Sequence, residues 1–323
     1  MANHQVQAVQ LRVDSDSESC PGCGSRRFIR KPAATKGFCL SFCQKCGTAC
    51  TFPKPKTEEL ETHYSAAYYG SENVKFISPM ERCVEWMNRL RARRLHRVLQ
   101  ISGKVLDVGC GRGLVLQELS RLGHECYGIE RSHLAASRAK RIPKLQIYTD
   151  PLENCGFISS TFDLALLWHV LEHLEEPGRI LVQIREILKP GALLVLEVPN
   201  FSSWQARAFG KYWFHLDIPR HLYHFSQEGI VLLLKANGYT VDRISTFSLE
   251  QGPFGAIQSI LNCLISPVDG LYGVLKKEFR TSGWKKLALI GLGSILSLPA
   301  AVFAVIEAAA GRGAVLRIMA RKT

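Results

Sequence analysis

The segment Lys104–Leu119, KVLDVGCGRGLVLQEL, limits the possible folds more than any other part of the chain. An apolar run ends in alternating glycines, and a segment with helical apolar spacing follows, so the pattern predicts a strand, a tight turn and a helix. Turns of this kind commonly hold a nucleotide-like ligand, because backbone N–H groups and the helix N-terminus face it. The aspartate just before the glycines, Asp107, bears on which ligand the turn suits.

Strands and helices alternate after this turn. Strands are predicted near residues 104–109, 125–130, 145–149, 162–168 and 192–198, with helices between them near 112–122, 132–141 and 178–189. A longer, arginine-rich helix is predicted before them, over residues 80–101. This alternation predicts an α/β fold with a doubly wound, Rossmann-like parallel sheet. Ligands of such sheets bind at the carboxyl ends of the strands.

The glycine turn alone fits two kinds of cofactor. Its predicted ligand-binding residues are Asp107, Gly109, Cys110, Gly111 and Gly113. The spacing of the glycines also suits a dinucleotide such as NAD. However, a diphosphate prefers backbone N–H groups without a neighbouring carboxylate. Asp107 therefore favours a ligand that carries an ammonium group and no phosphate, as S-adenosylmethionine does.

Two further carboxylates follow the next two predicted strands. Glu130 ends the second strand, 17 residues after Gly113, where acids bind ribose hydroxyls in nucleotide folds. Asp150 follows the third strand and could accept a hydrogen bond from an adenine amine, while Leu152 offers an apolar face to the ring. A single acid at such a place is usually a helix cap or a solvated loop residue. Three acids at three successive strand ends favour one shared binding site.

Several motifs in order resemble those of class I S-adenosylmethionine-dependent methyltransferases. They are VLDVGCGRG, YGIE, TD and FDLALLWHVLEHLEEPGRILVQIREILKPGALLVLEVPN, and the resemblance covers about residues 70–250. The segment HLDIPRHLYHFSQEGIVLLLKANGY is similar to one found in bacterial members that carry an N-terminal zinc ribbon. The resemblance implies that Asp107, Gly109, Gly111, Glu130 and Asp150 bind the cofactor. It also implies that WHVLEHL, with Trp168, lines the site near the sulfonium.

Methyl transfer to a hydroxyl or amine also needs a proton acceptor with a pKa near neutrality. Histidine is the usual residue for this task, and His169 and His221 are the predicted candidates. Three alternatives stay open at this point. Glu172 and His173 could only tie the loop to the next helix, Asp217 and Arg220 could form an ion pair, and Arg220 could hold an anionic substrate. A divalent ion at His169, Glu172 and His173 is not favoured.

The N-terminal cysteines predict a structural zinc site. Cys20, Cys23, Cys43 and Cys46 form two C-x2-C pairs separated by 19 residues, which is a strong zinc signal. Four thiolates would fill every coordination position, which leaves none open for catalysis. Small zinc ribbons also bind nucleic acid, and the basic loop between the pairs is compatible with that. The structural role is the one favoured.

The positive charge lies outside the predicted catalytic core. The formal net charge is +13, but residues 104–200 carry 11 basic and 12 acidic side chains. A basic surface of this kind suits nucleic acid, an anionic membrane or an acidic substrate. The signature of base-modifying methyltransferases is absent after the fourth predicted strand, where the sequence is WHVLEH. A small molecule, glycan precursor or lipid-linked intermediate is therefore the predicted acceptor, and an RNA methyltransferase is the alternative. A non-catalytic binding module is less favoured because the cofactor motifs are intact.

A long apolar run lies near the C-terminus. Residues Leu287–Ile306 carry no charge, and basic residues stand on both sides of the run. By length it could cross a bilayer, but AVLRIMARK is predicted to return as the final antiparallel strand of the sheet. The run is therefore expected to form a helical hairpin with FGAIQSILNCLISPV. That hairpin either packs on the core or enters one membrane leaflet over anionic headgroups, and both alternatives stay open.

The predicted organisation has four parts. Residues 1–56 form an N-terminal tail and zinc ribbon, and residues 57–103 hold a linker, a short tyrosine-rich helix and the arginine-rich helix. Residues 104–250 form the cofactor-binding core, and residues 251–323 form the apolar insertion and the final strand. No signal peptide is recognised, so the expected location is the cytoplasm, with association at the inner membrane face as the open alternative.

Overall fold

A computed structural model describes residues 19–33, 37–56, 78–265, 269–276 and 282–323. The strands are β1 (Phe28–Pro32), β2 (Cys39–Cys43), β3 (Ala49–Phe52), β4 (Lys104–Val108), β5 (Glu125–Ile129), β6 (Leu145–Tyr148), β7 (Phe162–Trp168), β8 (Leu188–Pro199), β9 (Tyr223–His224), β10 (Tyr239–Ser245) and β11 (Val315–Lys322). The helices are α1 (Ser78–Leu99), α2 (Leu114–Arg121), α3 (His133–Ala139), α4 (Pro177–Ile187), α5 (Trp204–Phe209), α6 (Gln227–Ala236), α7 (Gln251–Leu264), α8 (Gly270–Leu275) and α9 (Gly283–Ala309). The predicted tyrosine-rich helix lies outside the described residues.

The central sheet has seven strands in the order β10-β11-β8-β7-β4-β5-β6. The pairs β4–β5, β5–β6, β4–β7 and β7–β8 are parallel, and β11 pairs antiparallel with both β8 and β10. The predicted doubly wound α/β sheet and its inserted antiparallel final strand are confirmed. The chain moves from β4 outward to β6 and then returns to β7 on the other side of β4. The topological switch point, where such sheets bind ligands, therefore lies between β4 and β7.

Helices bury apolar side chains against both faces of the sheet. On one face Leu181 of α4 and Leu234 of α6 pack with β7 and β8 residues in the larger core cluster. On the other face Ala92 of α1 and Leu116 of α2 pack against the opposite sides of the same strands. The central strands are covered on both sides, which explains their nearly continuous apolar sequences.

The N-terminal ribbon is joined to the core through a sheet of its own. Its strands run in the order β1-β2-β3-β9, and β9 comes from the α/β core, with Ala49 opposite His224. The contact is close because Gly229, in the first turn of α6, has no side chain. A Cβ atom there would lie 1.9 Å from Thr48 Oγ1. The ribbon is therefore fixed to the core on this side, while the predicted domain boundaries at residues 56, 103 and 250 stay predictions.

Several elements differ from the prediction. Strand β8 begins at Leu188, four residues before the predicted start, because Leu188 pairs with Phe162 ahead of the Pro190–Gly191 irregularity. Strands β9 and β10 and helices α5 and α6 were not predicted as separate elements. Strand β9 has only two residues, which is too short for an alternating pattern.

The C-terminal insertion forms the predicted hairpin of apolar helices. Helices α7 and α9 run antiparallel, since a Cβ on Gly252 would lie 3.0 Å from Ala304 and a Cβ on Gly293 would lie 3.9 Å from Ile257. Helix α8 packs between them, and the three helices share a small apolar core. Among the described residues, α9 is the one helix long and apolar enough to cross a membrane, and 17% of its most apolar window is buried.

Candidate active site

The glycine turn after β4 lies under the loop that follows β7. Gly109 has a φ of 79°, and a Cβ there would lie 2.4 Å from Val170 Cγ2. The amides of Gly109 and Cys110 both donate to the Ile129 carbonyl, at 2.7 and 3.1 Å. The turn is therefore held between β5 and the β7 loop, and glycine at position 109 lets the two approach.

Asp107 is buried at the end of β4, with 5% of its surface exposed. Its Oδ1 atom has no hydrogen-bond partner among the described residues. Burial raises the pKa of Asp107 to about 7, against the attraction of Arg91 and with the repulsion of Glu130. A buried carboxyl oxygen without a partner is costly, and a cationic group placed beside it would reduce that cost.

The other two predicted cofactor acids stand at the same edge of the sheet. Glu130 directly follows β5, and its oxygens accept from the amides of Gly111 at 2.9 Å and Ser132 at 2.8 Å. Burial raises the pKa of Glu130, and these amides oppose the rise. Asp150 follows β6 and is exposed, whereas Leu152 is buried. The three acids thus lie at or just after the ends of three adjacent strands, as expected for one binding crevice.

Cys110 and Trp168 differ in what they offer a ligand. The Cys110 sulfur packs inward, since a Cβ on Gly128 would lie 2.6 Å from it, and the Cys110 amide and carbonyl bond within the protein. Trp168 ends β7, and two guanidinium groups contact its ring, with Arg91 at 3.8 Å and Arg317 at 4.8 Å from the ring centroid. Its ring N–H has no partner among the described residues. Trp168 therefore presents an open donor near the switch point, and Cys110 contributes packing.

His169 is held between two carboxylates. Its Nδ1 lies 3.3 Å from Glu172 and its Nε2 lies 3.2 Å from Glu197, both of which are fully buried. Burial acts to lower the pKa of His169, but the two carboxylates outweigh it and raise the pKa to about 10. The imidazole is therefore protonated at neutral pH, and both N–H groups are engaged. This arrangement does not favour the predicted role of His169 as a base, because it has no lone pair to accept a proton.

His221 has the opposite environment. It is buried, its Nδ1–H donates to the His215 carbonyl at 3.0 Å, and its ring meets that of His173 at 4.7 Å. Burial, and then the neighbouring histidines, hold the pKa of His221 well below its ordinary value. The ring is neutral, and Nε2 keeps a lone pair. His221 thus keeps an unprotonated ring nitrogen, which His169 does not, and its lowered pKa makes that nitrogen a weaker base than in an ordinary histidine.

Glu172 and His173 lie beside His221. One ligand atom from each of these three residues falls within 4.8 Å of the others. Glu172 Oε2 is buried and lacks a hydrogen-bond partner among the residues described here, and His173 Nδ1 donates to the Arg220 carbonyl at 2.9 Å. The predicted pairing of Asp217 with Arg220 is confirmed, at 2.7 Å.

Two functional neighbours were not predicted from the sequence. Glu197 of β8 contacts His169 and also Arg317, whose guanidinium lies 2.6 Å from the Glu197 carboxylate. These three charged side chains link β8 to β11 and to the loop after β7. An acid inside the apolar strand LLVLEVPN was the signal that could have found it. Thr51 of the ribbon donates to the His221 carbonyl at 2.6 Å and contacts His224 at 3.1 Å. No local pattern marks Thr51, because its partner is 170 residues away.

The four predicted zinc ligands come together in the ribbon. Their sulfurs all lie within 4.8 Å of one another, with Cys20–Cys46 and Cys23–Cys43 each 3.5 Å apart. Three of the four residues are buried. Four convergent sulfurs at this spacing form a donor set that could hold a tetrahedral metal ion.

The sheet order, the glycine turn and the acids at successive strand ends define a class I S-adenosylmethionine-dependent methyltransferase. Residues 82–244 match the model of a family described as "Methyltransferase domain", and the chain belongs to that family.

Curated relatives include a ubiquinone biosynthesis O-methyltransferase of Cereibacter sphaeroides, 30% identical over 156 residues, which are 43% of this chain and 62% of that protein. The mitochondrial ubiquinone biosynthesis O-methyltransferase of Schizosaccharomyces pombe is 33% identical over 104 residues, or 29% of this chain and 36% of that protein. The chain thus spans less than two thirds of the length of these two relatives. A solved S-adenosylmethionine-dependent methyltransferase of Archaeoglobus fulgidus is 19% identical, with a TM-score of 0.48, and the match covers 74% of this chain and 94% of that one.

Proposed function

We propose that the protein transfers a methyl group from S-adenosylmethionine to a hydroxyl group of a small molecule. The observation that carries the proposal is the buried Asp107 carboxyl, whose Oδ1 has no partner among the described residues beside the glycine turn. The relatives named as O-methyltransferases support oxygen as the accepting atom. Membership of the methyltransferase domain family supports the reaction class.

The cofactor-binding roles follow from chemistry at the strand ends. Asp107 would hold the ammonium group of the amino-acid part, because a cation there relieves the cost of the buried carboxyl. Glu130 would accept hydrogen bonds from the ribose hydroxyls, since a carboxylate that already accepts two amide bonds has lone pairs left. Asp150 and Leu152 would bound the adenine, with Trp168 near the sulfonium. Gly109, Gly111 and Gly113 keep the turn open to the ligand, and Cys110 packs beneath it.

His221 and His169 would have different roles in the methyl transfer. When bound, S-adenosylmethionine supplies a methyl group on a positively charged sulfur, and its transfer is an in-line displacement. His221 would accept the proton of the acceptor hydroxyl at Nε2, and the nearby Glu172 carboxylate would stabilise the imidazolium that forms. His169 would be a positioning residue, because its contacts to Glu172 and Glu197 fix both carboxylates.

We also propose that Cys20, Cys23, Cys43 and Cys46 hold a structural zinc ion. Zinc matches a set of four thiolates, and such a site keeps no open position for catalysis. The ion would stabilise the ribbon, and through Thr51 the ribbon would position His221.

The acceptor class includes small aromatic hydroxyl compounds, glycan precursors and lipid-linked intermediates, and the proposed location is the cytoplasm. An RNA acceptor is the weaker alternative. In the ribbon, Arg30 lies over the Phe52 ring at 3.4 Å and bonds Ser41, so part of its basic loop is engaged within the ribbon itself.

The direct test incubates the full chain with isotopically labelled S-adenosylmethionine and pools of catechols, sugar nucleotides and lipid extract. Mass spectrometry then identifies any methylated product. We expect a labelled methyl ether, and His221→Gln should lower kcat by at least about a hundredfold, since a general base contributes at least that much. His133→Gln, an exposed histidine on α3, is the matched control and should keep full activity.

Two outcomes would reject parts of this proposal. Equal activity of His221→Gln and wild type would remove His221 as the base. Binding of random RNA that weakens steeply with salt, together with methylated RNA in place of a small product, would favour the RNA alternative.

A further inference from the structure

Helix α9 carries an exposed apolar stripe on its outer side. Leu287, Ile295 and Leu298 are 73%, 72% and 73% exposed, and Val302 and Val305 are 52% and 55% exposed. These positions are spaced by three, four or eight residues, which places them on one side of a helix. Soluble proteins seldom leave so many large apolar side chains together in water, and such a surface marks an interaction site.

The opposite side of α9 already has a partner. Leu289, Ala300 and Ala304 are buried against α7 and α8, and Gly293 is so close to Leu271 that a Cβ would lie 2.9 Å from it. The stripe is therefore a second apolar side rather than the core-facing side.

The helices beneath α9 are anchored to the protein by buried polar groups. Asn262 of α7 donates to the Tyr212 carbonyl at 3.2 Å, and Ser259 accepts from the Phe214 amide at 2.9 Å. Gln258 and Asn262 are buried and hydrogen-bonded to each other at 2.7 Å. These contacts fix the inner side of the hairpin to the core, so α7 gives α9 a fixed surface to pack against.

Both ends of α9 are attached to the described part of the protein that contains α8 and the central sheet. Its first half packs on α8 through Leu289, and after its end β11 pairs with β8, with Val315 opposite Pro199. A helix of 27 residues is about 40 Å long, and α9 contacts α7 and α8 through much of that length. A crossing of the bilayer would separate α9 from these partners, whereas a position in the plane of the membrane keeps them.

The charged residues of α9 indicate which kind of surface contacts the stripe. Residues 282–306 contain two lysines and no acid, and the acid that follows, Glu307, is buried and bonded to Gln205. Lys285, Lys286 and the 68%-exposed Trp284 cluster at the start of the helix, with Lys285 5.6 Å from the Trp284 ring. Lysines and tryptophan beside an apolar stripe match the headgroup region of an anionic bilayer.

We propose that α9 lies in the plane of an anionic membrane, with its outer stripe in the acyl boundary and Lys285 and Lys286 at the headgroups. The inference does not depend on methyl transfer. It makes the protein monotopic on one leaflet.

The test measures partition of the full chain onto vesicles by sedimentation. Vesicles of phosphatidylcholine alone are compared with vesicles that also contain phosphatidylglycerol. We expect tighter binding to the anionic vesicles, and Lys285→Gln with Lys286→Gln should lower that binding about 25-fold, since each lysine contributes about fivefold. Ile295→Asp with Leu298→Asp should lower binding to both vesicles about a hundredfold, because two buried apolar side chains are lost.

Matched controls place the same charges on apolar side chains outside the stripe. Ile101→Asp with Ile158→Asp changes residues that are 72% and 78% exposed in the loops before β4 and β7, and it should bind vesicles like wild type. Titration of each variant with S-adenosylmethionine reports whether the core is folded. Loss of cofactor binding by wild type itself would reject the proposed function and leave the vesicle result unaffected.

Three results would overturn the membrane inference. The first is equal loss of vesicle binding in the control and stripe variants, or no binding by wild type. The second is protection of one end of α9 from protease added outside sealed vesicles while the other end is cleaved, which would show a spanning helix. The third is a lipid-free dimer that the stripe variants convert to monomer without loss of vesicle binding, which would assign the stripe to a second copy of the chain.

Discussion

Cofactor affinity should depend on pH through Asp107. Its pKa is about 7 in the free protein because burial disfavours the charged carboxylate. An ammonium group placed beside it would lower that pKa toward its ordinary value. Below neutrality the carboxyl is protonated, so binding of the cation must release a proton. Linkage then predicts that S-adenosylmethionine binds about fifteenfold more weakly at about pH 5.5 than at about pH 7.

Isothermal titration in two buffers of different ionisation enthalpy measures both the affinity and the protons released. At about pH 7 roughly half of the Asp107 carboxyls are protonated, so we expect roughly half a proton released for each ligand bound. The ligand's own amine titrates near about pH 8, so the measurements stay below that value. Burial raises the pKa of Glu130 as well, and a variant is therefore needed to separate the two acids.

Asp107→Asn supplies that separation. The variant should bind more weakly at pH 7 and lose most of the pH dependence, whereas the exposed-site control Asp242→Asn should behave like wild type. Equal pH dependence in Asp107→Asn and wild type would refute this assignment of the Asp107 carboxyl.

The raised pKa of Asp107 also predicts how the stability of the protein depends on pH. The folded pKa of Asp107 lies above the unfolded value near 3.8, so its ionisation opposes folding as the pH rises from about 4 to about 7. The cost above pH 7 is about 4 kcal/mol, from about three units of pKa. Asp107→Asn should therefore raise the melting temperature of the ligand-free protein at pH 8. A lower melting temperature would show that the carboxyl has a stabilising partner.

Three further perturbations test other parts of the site. Cys43→Ser should lose bound zinc, measured by elemental analysis, and should lower the melting temperature. Cys39→Ser, outside the sulfur cluster, should keep the metal. Zinc retained by both variants would reject the assignment. Gly109→Ala should weaken cofactor binding by more than about tenfold, because the new Cβ meets Val170 at 2.4 Å and φ is 79°. Gly191→Ala has a φ of 70° and open space around it, so it controls for backbone strain, and equal effects would deny the importance of the Val170 contact. Glu197→Gln should lower the pKa of His169 from about 10, because one of its two carboxylate partners is lost. NMR titration of the ring protons measures this pKa, and an unchanged value would contradict the role given to Glu197.

The sheet and its ligand edge could be predicted because they depend on local sequence. Strands such as Phe162–Trp168 are continuous apolar runs, and the acids Asp107 and Glu130 stand at or directly after strand ends. In a parallel sheet, right-handed crossovers place consecutive strands side by side, with their carboxyl ends at the same edge of the sheet. The cysteine spacing was informative for a similar reason, because each pair lies in one tight turn.

The roles of the histidines could not be read from the sequence in the same way. His169 is charged because Glu197, 28 residues later, reaches its Nε2 atom across the sheet. His221 is neutral because the ribbon and the β9 segment bury it beside His173 and His224. Protonation depends on such long-range neighbours, whereas residue spacing reports only local structure.

The outer side of α9 shows the same limit. Its composition predicted an apolar helix, yet composition could not distinguish a helix buried on both sides from one with an exposed stripe. Contacts such as Gly252 with Ala304 identify the buried side, and they leave Ile295 and Leu298 on the other.

A crystal structure of the full chain grown with S-adenosylhomocysteine tests the central assignment most directly. We predict the amino group within hydrogen-bond distance of Asp107, the ribose hydroxyls on Glu130 and the adenine between Asp150 and Leu152. The opposite result would be an empty crevice in that crystal, with NAD from a parallel soak seating its diphosphate over Gly109 and Gly111.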